Sequence, residues 1–346
     1  MGIHQLLLLV ASCAASIPCS SRRALLGATA AAVAGPPLIS QQRAAAAAPP
    51  AFPSSVLLSD GLRFPLASFG LQVYDDATAE KLVQLALDAG FRNFFASVLA
   101  RNQRGFARGV AKSKVPRDEL FICGSVLSNR AQGYKAAYEL SKLGCEENMR
   151  DLGVTGGINE LDMIMLDYPG PDADSIRGQW RALEDMKEAG LVRSLAVSNF
   201  SPAQLDVILA DPKTKHRPTV NQLPYSVGYH DPGAVAANRK RGVFVQAWSP
   251  LGSGRLTRYL RDTAEAKQLC AEVGAPYGKS ASQVALRWIT QSGGSGAAFT
   301  VETKSAAHFA EDSPDALFDF ELSASDMGRL ETLNAQPAAE GGARSR

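Results

Sequence analysis

Short apolar strands alternate with amphipathic helices along most of this chain of 346 residues, and this alternation is the feature that most restricts its fold. Counted from a strand near residues 67–71, about eight strand–helix units follow one another. Strands separated by helices pair in parallel, because each crossover helix returns the chain to the same edge of the sheet. Eight such units predict an α/β fold, a closed (β/α)8 barrel of the TIM type, rather than an open doubly wound sheet. No G-x-G-x-x-G follows a strand, which also counts against a Rossmann domain.

A tight turn precedes the first of these units. Asp60-Gly61 separates two short apolar segments, 56–58 and 62–64. An Asp-Gly pair between such segments is typical of a two-stranded hairpin, because the turn needs residues that adopt a left-handed backbone. The sequence therefore predicts an N-terminal β-hairpin that leads into the barrel.

Several helices are marked by their first residues or by their apolar spacing. Ser201-Pro202-Ala203-Gln204 is a capping box with proline at the first helical position. Apolar residues at helical spacing predict further helices over 77–90, 134–152, 179–189, 233–241, 279–289 and 324–333.

Composition excludes several classes of protein. Hydrophobic residues make up 46% and charged residues 20%, which is ordinary globular composition. The formal net charge of +2 gives no basic excess that would point to nucleic acid. No apolar run approaches the roughly 18 residues of a membrane-spanning helix, so we expect no permanent membrane span. Cys123, Cys145 and Cys270 are widely spaced, and we expect neither a metal motif nor a disulfide framework.

Residues 1–50 are predicted to be a targeting presequence. No Asp or Glu occurs before Asp60, while a short apolar run at 6–10 is followed by Arg22-Arg23 and a stretch rich in alanine. The apolar run fits a secretory signal, and the later segment fits either a transit peptide or a twin-arginine signal. Two stacked signals of this kind resemble the bipartite presequences of plastid proteins. We therefore expect a plastid location, in the stroma or the thylakoid lumen, with secretion as the alternative.

Ordered motifs at the expected strand ends carry a family resemblance that covers residues 54–335. The motifs are Gly190-Leu191-Val192-Arg193, Val197-Ser198-Asn199-Phe200, Val220-Asn221-Gln222, Ala247-Trp248-Ser249-Pro250-Leu251-Gly252, Gly278-Lys279-Ser280, Gln283-Val284-Ala285-Leu286-Arg287-Trp288, Lys304-Ser305 and Phe318-Asp319-Phe320-Glu321-Leu322. In this order and spacing the chain resembles the aldo-keto reductase family. The resemblance leaves residues 336–346 as a short tail, which we expect to be flexible.

The resemblance implies a barrel that binds NADP(H) across its mouth and reduces aldehydes and ketones by hydride transfer. It assigns the nicotinamide carboxamide to three polar residues, ring stacking to an indole, the pyrophosphate to a loop and the 2′-phosphate to a lysine and a serine. The carboxamide residues are Ser198, Asn199 and Gln222, and the indole is that of Trp248. The pyrophosphate loop has Ser249, Leu251 and Gly252, and the 2′-phosphate residues are Lys304 and Ser305. An amide can pair with a carboxamide, and an indole offers a flat apolar face. The alternative is that Ser198-Asn199 only links a strand to a helix and that Trp248 belongs to the core.

The residues that the family's reaction needs are missing. The family uses an Asp, a Tyr, a Lys and a His, and the Tyr delivers a proton to the carbonyl oxygen. The corresponding positions hold Phe95, Ala100, Ser125 and Asp167, so the catalytic residues are unknown. A carboxyl buried at a barrel mouth can have a raised pKa and act as an acid, which makes Asp167 a candidate. The alternative is that Asp167 is an ordinary hydrogen-bonded residue at the end of a strand.

Other titratable residues near the expected mouth are Tyr74, Tyr168 and His230. The two tyrosines are expected to lie near Asp167. His230 lies in a loop on the mouth side of the barrel, where it could reach a substrate. We expect it instead to be a solvated loop residue.

The end of the site that would hold adenosine also departs from the family pattern. Glu302-Thr303 replaces the usual Ile-Pro, Ala310 replaces an arginine, and Ser313-Pro314 replaces a Glu-Asn pair. A carboxylate beside a phosphate site is repulsive. We therefore expect weaker binding of NADPH than in the family, with reduced selectivity over NADH.

Two functional hypotheses follow, with a third as a baseline. The first is an NADP(H)-linked oxidoreductase with atypical or weak reduction of a small carbonyl substrate. The second is a catalytically inactive pseudoenzyme that serves as a cofactor-sensing or protein-binding module. The baseline is a structural plastid protein with an empty mouth. The sequence specifies neither the substrate nor the oligomeric state.

Overall fold

The structure, a computed structural model, describes residues 52–333 except residues 97, 232, 253–262 and 295. The presequence predicted for residues 1–50 and the tail predicted for residues 336–346 lie outside the described residues. The strands of the described part are β1 (Ser55–Leu57), β2 (Arg63–Pro65), β3 (Ala67–Gly70), β4 (Asn93–Phe95), β5 (Phe121–Leu127), β6 (Leu161–Asp167), β7 (Val192–Ser198), β8 (Val220–Pro224), β9 (Phe244–Trp248) and β10 (Ala298–Val301). The helices of the same part are α1 (Asp76–Asp88), α2 (Gln103–Lys112), α3 (Tyr134–Gly156), α4 (Ala173–Glu188), α5 (Pro202–Leu209), α6 (Ala234–Arg239), α7 (Thr263–Gly274), α8 (Ala281–Gln291), α9 (Ala306–Glu311), α10 (Pro314–Leu317) and α11 (Ala324–Glu331).

Strands β3 to β10 pair in parallel and close into a barrel, in the order β10-β3-β4-β5-β6-β7-β8-β9. The seam is made by β10, which pairs Phe299 with Ala67 of β3 and Ala298 with Gln246 of β9. All other neighbours follow in chain order, as expected when a crossover helix separates each strand from the next. The predicted (β/α)8 barrel is therefore confirmed.

The hairpin of β1 and β2 covers one end of this barrel. The two strands are antiparallel, with Val56 opposite Phe64, as the Asp-Gly turn predicts. The Phe64 ring packs edge-on against Phe121, at 5.0 Å between ring centres, and against Phe244, at 6.4 Å. Phe121 and Phe244 are the first residues of β5 and β9. The hairpin therefore lies at the N-terminal ends of the strands, which leaves the C-terminal ends as the mouth.

Local capping explains where two of the helices begin. Ser201 accepts a hydrogen bond from the backbone of Gln204, and the Gln204 side chain accepts one from the backbone of Ser201, so the predicted capping box is confirmed. The same reciprocal arrangement begins α8. Helix α7 was not predicted, although its buried residues Ala266, Cys270 and Val273 follow helical spacing.

Two expectations from composition concern the cysteines and membrane-spanning helices. Cys123, Cys145 and Cys270 are free thiols and buried. Burial raises the pKa of the Cys145 thiol to about 12, which makes it a poor nucleophile at neutral pH. Within the described residues, no helix is long and apolar enough to cross a membrane.

Close packing of α1 against α2 depends on a glycine. A Cβ atom at Gly105 would lie 1.8 Å from the backbone oxygen of Asp76, at the first turn of α1. The Gly105 amide also donates to the Asp76 carboxylate. Any side chain at this position therefore separates the two helices.

We expect Gly105→Ala to lower the free energy of unfolding by about 2–3 kcal/mol, because the added methyl overpacks this contact. Gly328→Ala in α11 is the matched control, since a Cβ there meets no atom within 4 Å. The control should raise stability by about 0.5–1 kcal/mol, because alanine loses less backbone entropy in a helix. Urea unfolding measures both changes, and equal effects of the two variants would disprove the packing argument.

Candidate functional site

Polar residues from four neighbouring strands stand side by side at the mouth. Asp167 of β6 pairs in register with Ser198 of β7, and Ser198 pairs with Gln222 of β8. Gln222 in turn pairs with Gln246 of β9. Residues far apart in the chain thus form one row across four strands. Asp167, Ser198 and Gln222 are candidate site residues from the sequence, and the barrel brings them together.

Strained backbone marks the same edge of the barrel. Tyr168, Asn199 and Ser249 have φ values of 64°, 64° and 50°, and each directly follows the last residue of a barrel strand. Arg101, with φ of 52°, lies in the loop after β4. These four are the described non-glycine residues with positive φ. Such conformations cost of order 1–3 kcal/mol each and concentrate at functional sites.

A hydrogen-bond network, which we call the mouth network, joins Asp167, Ser198, Asn199 and Trp248. The Asn199 side-chain amide donates to Ser198 Oγ at 2.8 Å and to Asp167 Oδ1 at 3.5 Å. The Trp248 indole N–H donates to Asn199 Oδ1 at 3.0 Å. Gln222 lies beside the network and donates to Gln246 Oε1 at 2.8 Å. The network fixes the orientation of the indole at the mouth.

Three of the four positions that hold the family's catalytic residues are buried in this chain. Phe95, Ser125 and Asp167 are all buried, and Ala100 lies in the turn after β4. The Ser125 hydroxyl accepts a hydrogen bond from the backbone N–H of Val98 at 3.2 Å, so it holds that loop in place. Of these four side chains, only that of Asp167 can exchange a proton near neutral pH.

Burial dominates the electrostatics of Asp167. The residue is 2% exposed, and its Oδ2 atom has no hydrogen-bond partner. Desolvation raises the pKa of Asp167 from 3.8 to about 6, although hydrogen bonds from Ser198 and Asn199 act in the opposite direction. The carboxyl therefore changes protonation state close to neutral pH, which an exposed aspartate does not do.

The other titratable candidates do not suit proton transfer. Burial, with a contribution from Glu302, raises the pKa of Tyr74 to about 12, which makes its hydroxyl a poor acid at neutral pH. The expectation that His230 is solvated is wrong. Its ring is fully buried, with ring centres 5.4 Å from Tyr225 and 4.8 Å from Trp288.

A cleft of about 650 Å³ opens beside the mouth network, a size that suits a small-molecule ligand. Its described lining comes from the loops after β3, β8 and β9, from β10 and the residues after it, and from α7, α8 and α9. Trp248, Ser249, Leu251 and Gly252 line it, and their contacts with a cofactor stay a prediction.

Lys304 and Ser305 border the cleft without belonging to its described lining, since Tyr74 and Thr303 beside Lys304 both line it. Lys304 is outside the described lining of the cleft, with its Nζ 5.2 Å from the centre of the Tyr74 ring. The Ser305 hydroxyl caps α9 by accepting from the His308 backbone N–H at 3.4 Å. The structure thus gives both residues local structural contacts, and their part in phosphate binding stays a prediction.

Sequence reasoning missed part of this cleft. Ser226 Oγ, Thr300 Oγ1 and Asp312 Oδ1 are buried atoms without hydrogen-bond partners, and all three residues line the cleft. The helical spacing of α7 would have indicated one wall. No sequence signal indicates Asp312, because its burial depends on how α9 packs. In the described residues, no group of His, Cys, Asp and Glu is arranged to hold a metal ion.

Comparisons with known proteins agree with the geometry. A sequence profile of the Aldo/keto reductase family matches residues 64–335. A protein of Bacillus subtilis named glyoxal reductase is 29% identical over 281 residues, which is 81% of this chain and 92% of that protein. An aldo-keto reductase of Mycolicibacterium smegmatis is 30% identical over 280 residues, with 81% and 89% of the two chains covered. The crystal structure of an aldo/keto reductase from Brucella melitensis matches 82% of this chain and 100% of its own, with a TM-score of 0.69 and 25% identity.

The raised pKa of Asp167 has a consequence for stability that can be measured. The unfolded carboxyl ionises near pH 4 and the folded one near pH 6, so folding loses stability as the pH rises through this window. Asp167→Asn removes this loss. We expect the stability of the variant relative to wild type to rise by about 2–3 kcal/mol between pH 4 and pH 8.

Urea unfolding at several pH values measures this difference. Asp88→Asn, at an exposed position on α1, controls for the change in net charge. A difference between Asp167→Asn and wild type that stays constant across the pH range would show that the Asp167 carboxyl is not desolvated.

Proposed function

The chain belongs to the Aldo/keto reductase family of oxidoreductases, and we propose that it binds a nicotinamide dinucleotide, NADPH or NADH, across the barrel mouth and reduces small carbonyl compounds weakly. The observation that carries this proposal is the continuity of the mouth network with the cleft, because Trp248 belongs to both. A dinucleotide is long and has a flat ring at each end. A mouth with an oriented indole beside a cleft of about 650 Å³ suits such a molecule.

The residues present fit the cofactor at several points. The Trp248 indole offers an apolar face to the nicotinamide ring, and the amides of Asn199 and Gln222 offer donors and acceptors to its carboxamide. Ser249, Leu251 and Gly252 would hold the pyrophosphate along the cleft. Buried acceptor atoms of Ser226, Thr300 and Asp312 are available for hydroxyl groups of the ligand.

The proposed reaction needs a hydride and a proton. A bound reduced nicotinamide supplies the hydride to the carbonyl carbon. The carbonyl oxygen needs a proton, and the Asp167 carboxyl, which is protonated below about pH 6, is the candidate donor. Because Asp167 is mostly ionised at neutral pH, the proposed reduction is slow there. That a relative is named glyoxal reductase supports a small carbonyl compound as the substrate.

A pseudoenzyme is the second candidate function. The observation that favours it is the lack of proton-transfer groups at two catalytic positions. Phe95 is buried and apolar, and the hydroxyl of the buried Ser125 is held by a hydrogen bond from the backbone. In this candidate the barrel binds the cofactor without turnover and acts as a cofactor-sensing or protein-binding module.

Tryptophan fluorescence tests dinucleotide binding directly. The protein has three tryptophans, and Trp180 and Trp288 are buried away from the cleft lining. We expect saturable quenching by NADPH or NADH at micromolar concentrations, because the cofactor ring contacts Trp248. Trp248→Phe should remove most of the quenching, while calorimetry still detects binding. Absence of binding by both cofactors at millimolar concentrations would overturn both candidate functions.

Turnover then separates the two candidates. Weak reduction predicts cofactor oxidation with small aldehydes at rates about 10²–10⁴-fold below those of the Bacillus subtilis relative measured alongside. The rate should rise as the pH falls towards 6, and Asp167→Asn should abolish that rise. Tight binding without oxidation at any pH would favour the pseudoenzyme.

We also propose that the protein acts in a plastid. The support is the acid-free segment of residues 1–50 with its apolar run and Arg22-Arg23. A fluorescent reporter fused to residues 1–50 and expressed in an alga should enter the plastid. Substitution of both arginines by lysine should block entry into the thylakoid lumen, if the pair is a twin-arginine signal, and leave a stromal protein unchanged. Secretion of the reporter would contradict the plastid proposal.

A further inference from the structure

Helix α3 carries exposed apolar side chains on the side that faces away from the barrel. Its inner face is buried and consists of Ala137, Ser141, Cys145, Asn148 and Leu152. Leu140, Leu143 and Val154 are instead 42%, 61% and 85% exposed. Single exposed apolar residues are common on protein surfaces, so their exposure alone does not indicate a partner. The spacing of these three residues along the helix distinguishes them.

The outer side of α3 has the spacing of a helix–helix contact. Its residues Leu140, Leu143, Glu147, Arg150 and Val154, which we call the α3 stripe, follow one another at intervals of three or four positions. Alternating intervals of three and four keep side chains in one narrow line, which is the seam through which two helices pack in a coiled coil. The side chains of Glu147 and Arg150 are 40% and 58% exposed, so the whole line is accessible to a partner.

The α3 stripe is complementary to itself when one copy of the helix is reversed. A two-fold axis places residue i of one copy opposite residue j of the other, and j opposite i. Positions 147 and 150 are centred between residues 148 and 149, and so are positions 143 and 154. With the axis at that point, Glu147 faces Arg150 of the second copy. In the same register Leu143 faces Val154, so two apolar contacts flank two contacts of opposite charge.

The charges of the stripe determine how the two copies are oriented. A parallel arrangement places each residue opposite itself, which brings like charges together at both Glu147 and Arg150. Within one chain, Arg150 lies 3.7 Å from Glu147 and 3.0 Å from Asp151. In the antiparallel arrangement each Arg150 lies between its own Glu147 and that of the second copy. Because exposed ion pairs contribute little energy, the charges specify the register and the apolar contacts supply the attraction.

The length of the contact limits its strength. In this register residues 141–156 of the two helices overlap, which corresponds to about 24 Å at 1.5 Å per residue. Such a contact is smaller than a standard interface of about 800 Å² per partner, so we expect weak association that depends on concentration. Reversal of α3 also reverses the barrel, so the two mouths open in opposite directions and both stay accessible.

We propose that the α3 stripe is a docking surface for a second copy of this chain, which forms a weak antiparallel dimer with two-fold symmetry. The inference does not depend on cofactor binding, because the stripe lies on the outside of the barrel and shares no residue with the cleft.

Sedimentation equilibrium of the purified protein over a range of concentrations tests the association. We expect a monomer–dimer equilibrium with a dissociation constant above about 10 µM, as the small contact implies. Leu143→Gln or Val154→Gln should weaken it at least about tenfold, because each apolar contact occurs twice in the dimer. Leu57→Gln in β1 is the matched control, since Leu57 is 63% exposed and lies far from α3 in the chain. A monomer at all concentrations, or equal effects of Leu57→Gln and Leu143→Gln, would overturn the proposal.

Charge reversal tests the register. Glu147→Arg and Arg150→Glu should each weaken association about tenfold at low salt, because each places like charges opposite one another twice. The double variant Glu147→Arg/Arg150→Glu restores opposite charges across the axis and should recover association to within about threefold of wild type. Association through any other segment does not respond in this way. A double variant as weak as the single ones would overturn the register.

Disulfide cross-linking under a mild oxidant tests the antiparallel geometry. A mixture of the Leu143→Cys and Val154→Cys variants should form a cross-linked dimer above the wild-type background, because these positions face each other across the axis. Leu143→Cys by itself should not cross-link, since two copies of position 143 lie about 16 Å apart along the helix axis. Efficient cross-linking of Leu143→Cys by itself would indicate a parallel contact and overturn the proposed geometry. Circular dichroism of every variant verifies that the barrel is folded.

Discussion

Parallel closure of the barrel is the constraint on which the rest of the structure depends. Because all eight barrel strands run in the same direction, their C-terminal ends meet at one rim. Asp167, Ser198 and Gln222 are therefore neighbours in register, although they are spread over more than fifty positions of the chain. The hairpin closes the opposite end through Phe64, which leaves this rim as the place where a ligand can enter.

The rim has few groups that can transfer a proton, and its polar side chains hydrogen-bond to one another instead. The positions of the family's four catalytic residues hold Phe95, Ala100, Ser125 and Asp167 in this chain. The Ser125 hydroxyl accepts a hydrogen bond from the backbone. Asp167 is linked through Asn199 to Trp248, so the one titratable group is coupled to the indole that borders the cleft. A change in its protonation state alters a hydrogen bond that positions Asn199 and, through it, the indole. The orientation of the indole at this rim is therefore coupled to the Asp167 carboxyl.

The sequence predicts most of the fold and the row of residues at the rim, because alternation and strand-end motifs are local signals. The hairpin, the barrel and the capping box at Ser201 all follow from such signals. The prediction fails where burial depends on packing between distant segments. His230 lies in a loop yet is enclosed by Tyr225 and Trp288, and Asp312 has no motif around it. The assignment of Lys304 to a phosphate rests on a family motif alone and stays a prediction.

Buried oxygen atoms of the cleft that lack hydrogen-bond partners bear on whether the barrel binds a ligand or has only a structural role. Buried Oγ, Oγ1 and Oδ1 atoms of Ser226, Thr300 and Asp312 reduce the stability of the protein unless a ligand or water donates to them. Other described residues outside the cleft, such as Ser68 and Trp288, also have unpaired buried atoms, so the lack of partners alone does not mark a ligand site. The three residues of the cleft differ in that they line one cavity, so a single ligand with several polar groups can reach all of them. The energy missing in the free state is then recovered on binding, which favours ligand binding whether or not Asp167 supports turnover.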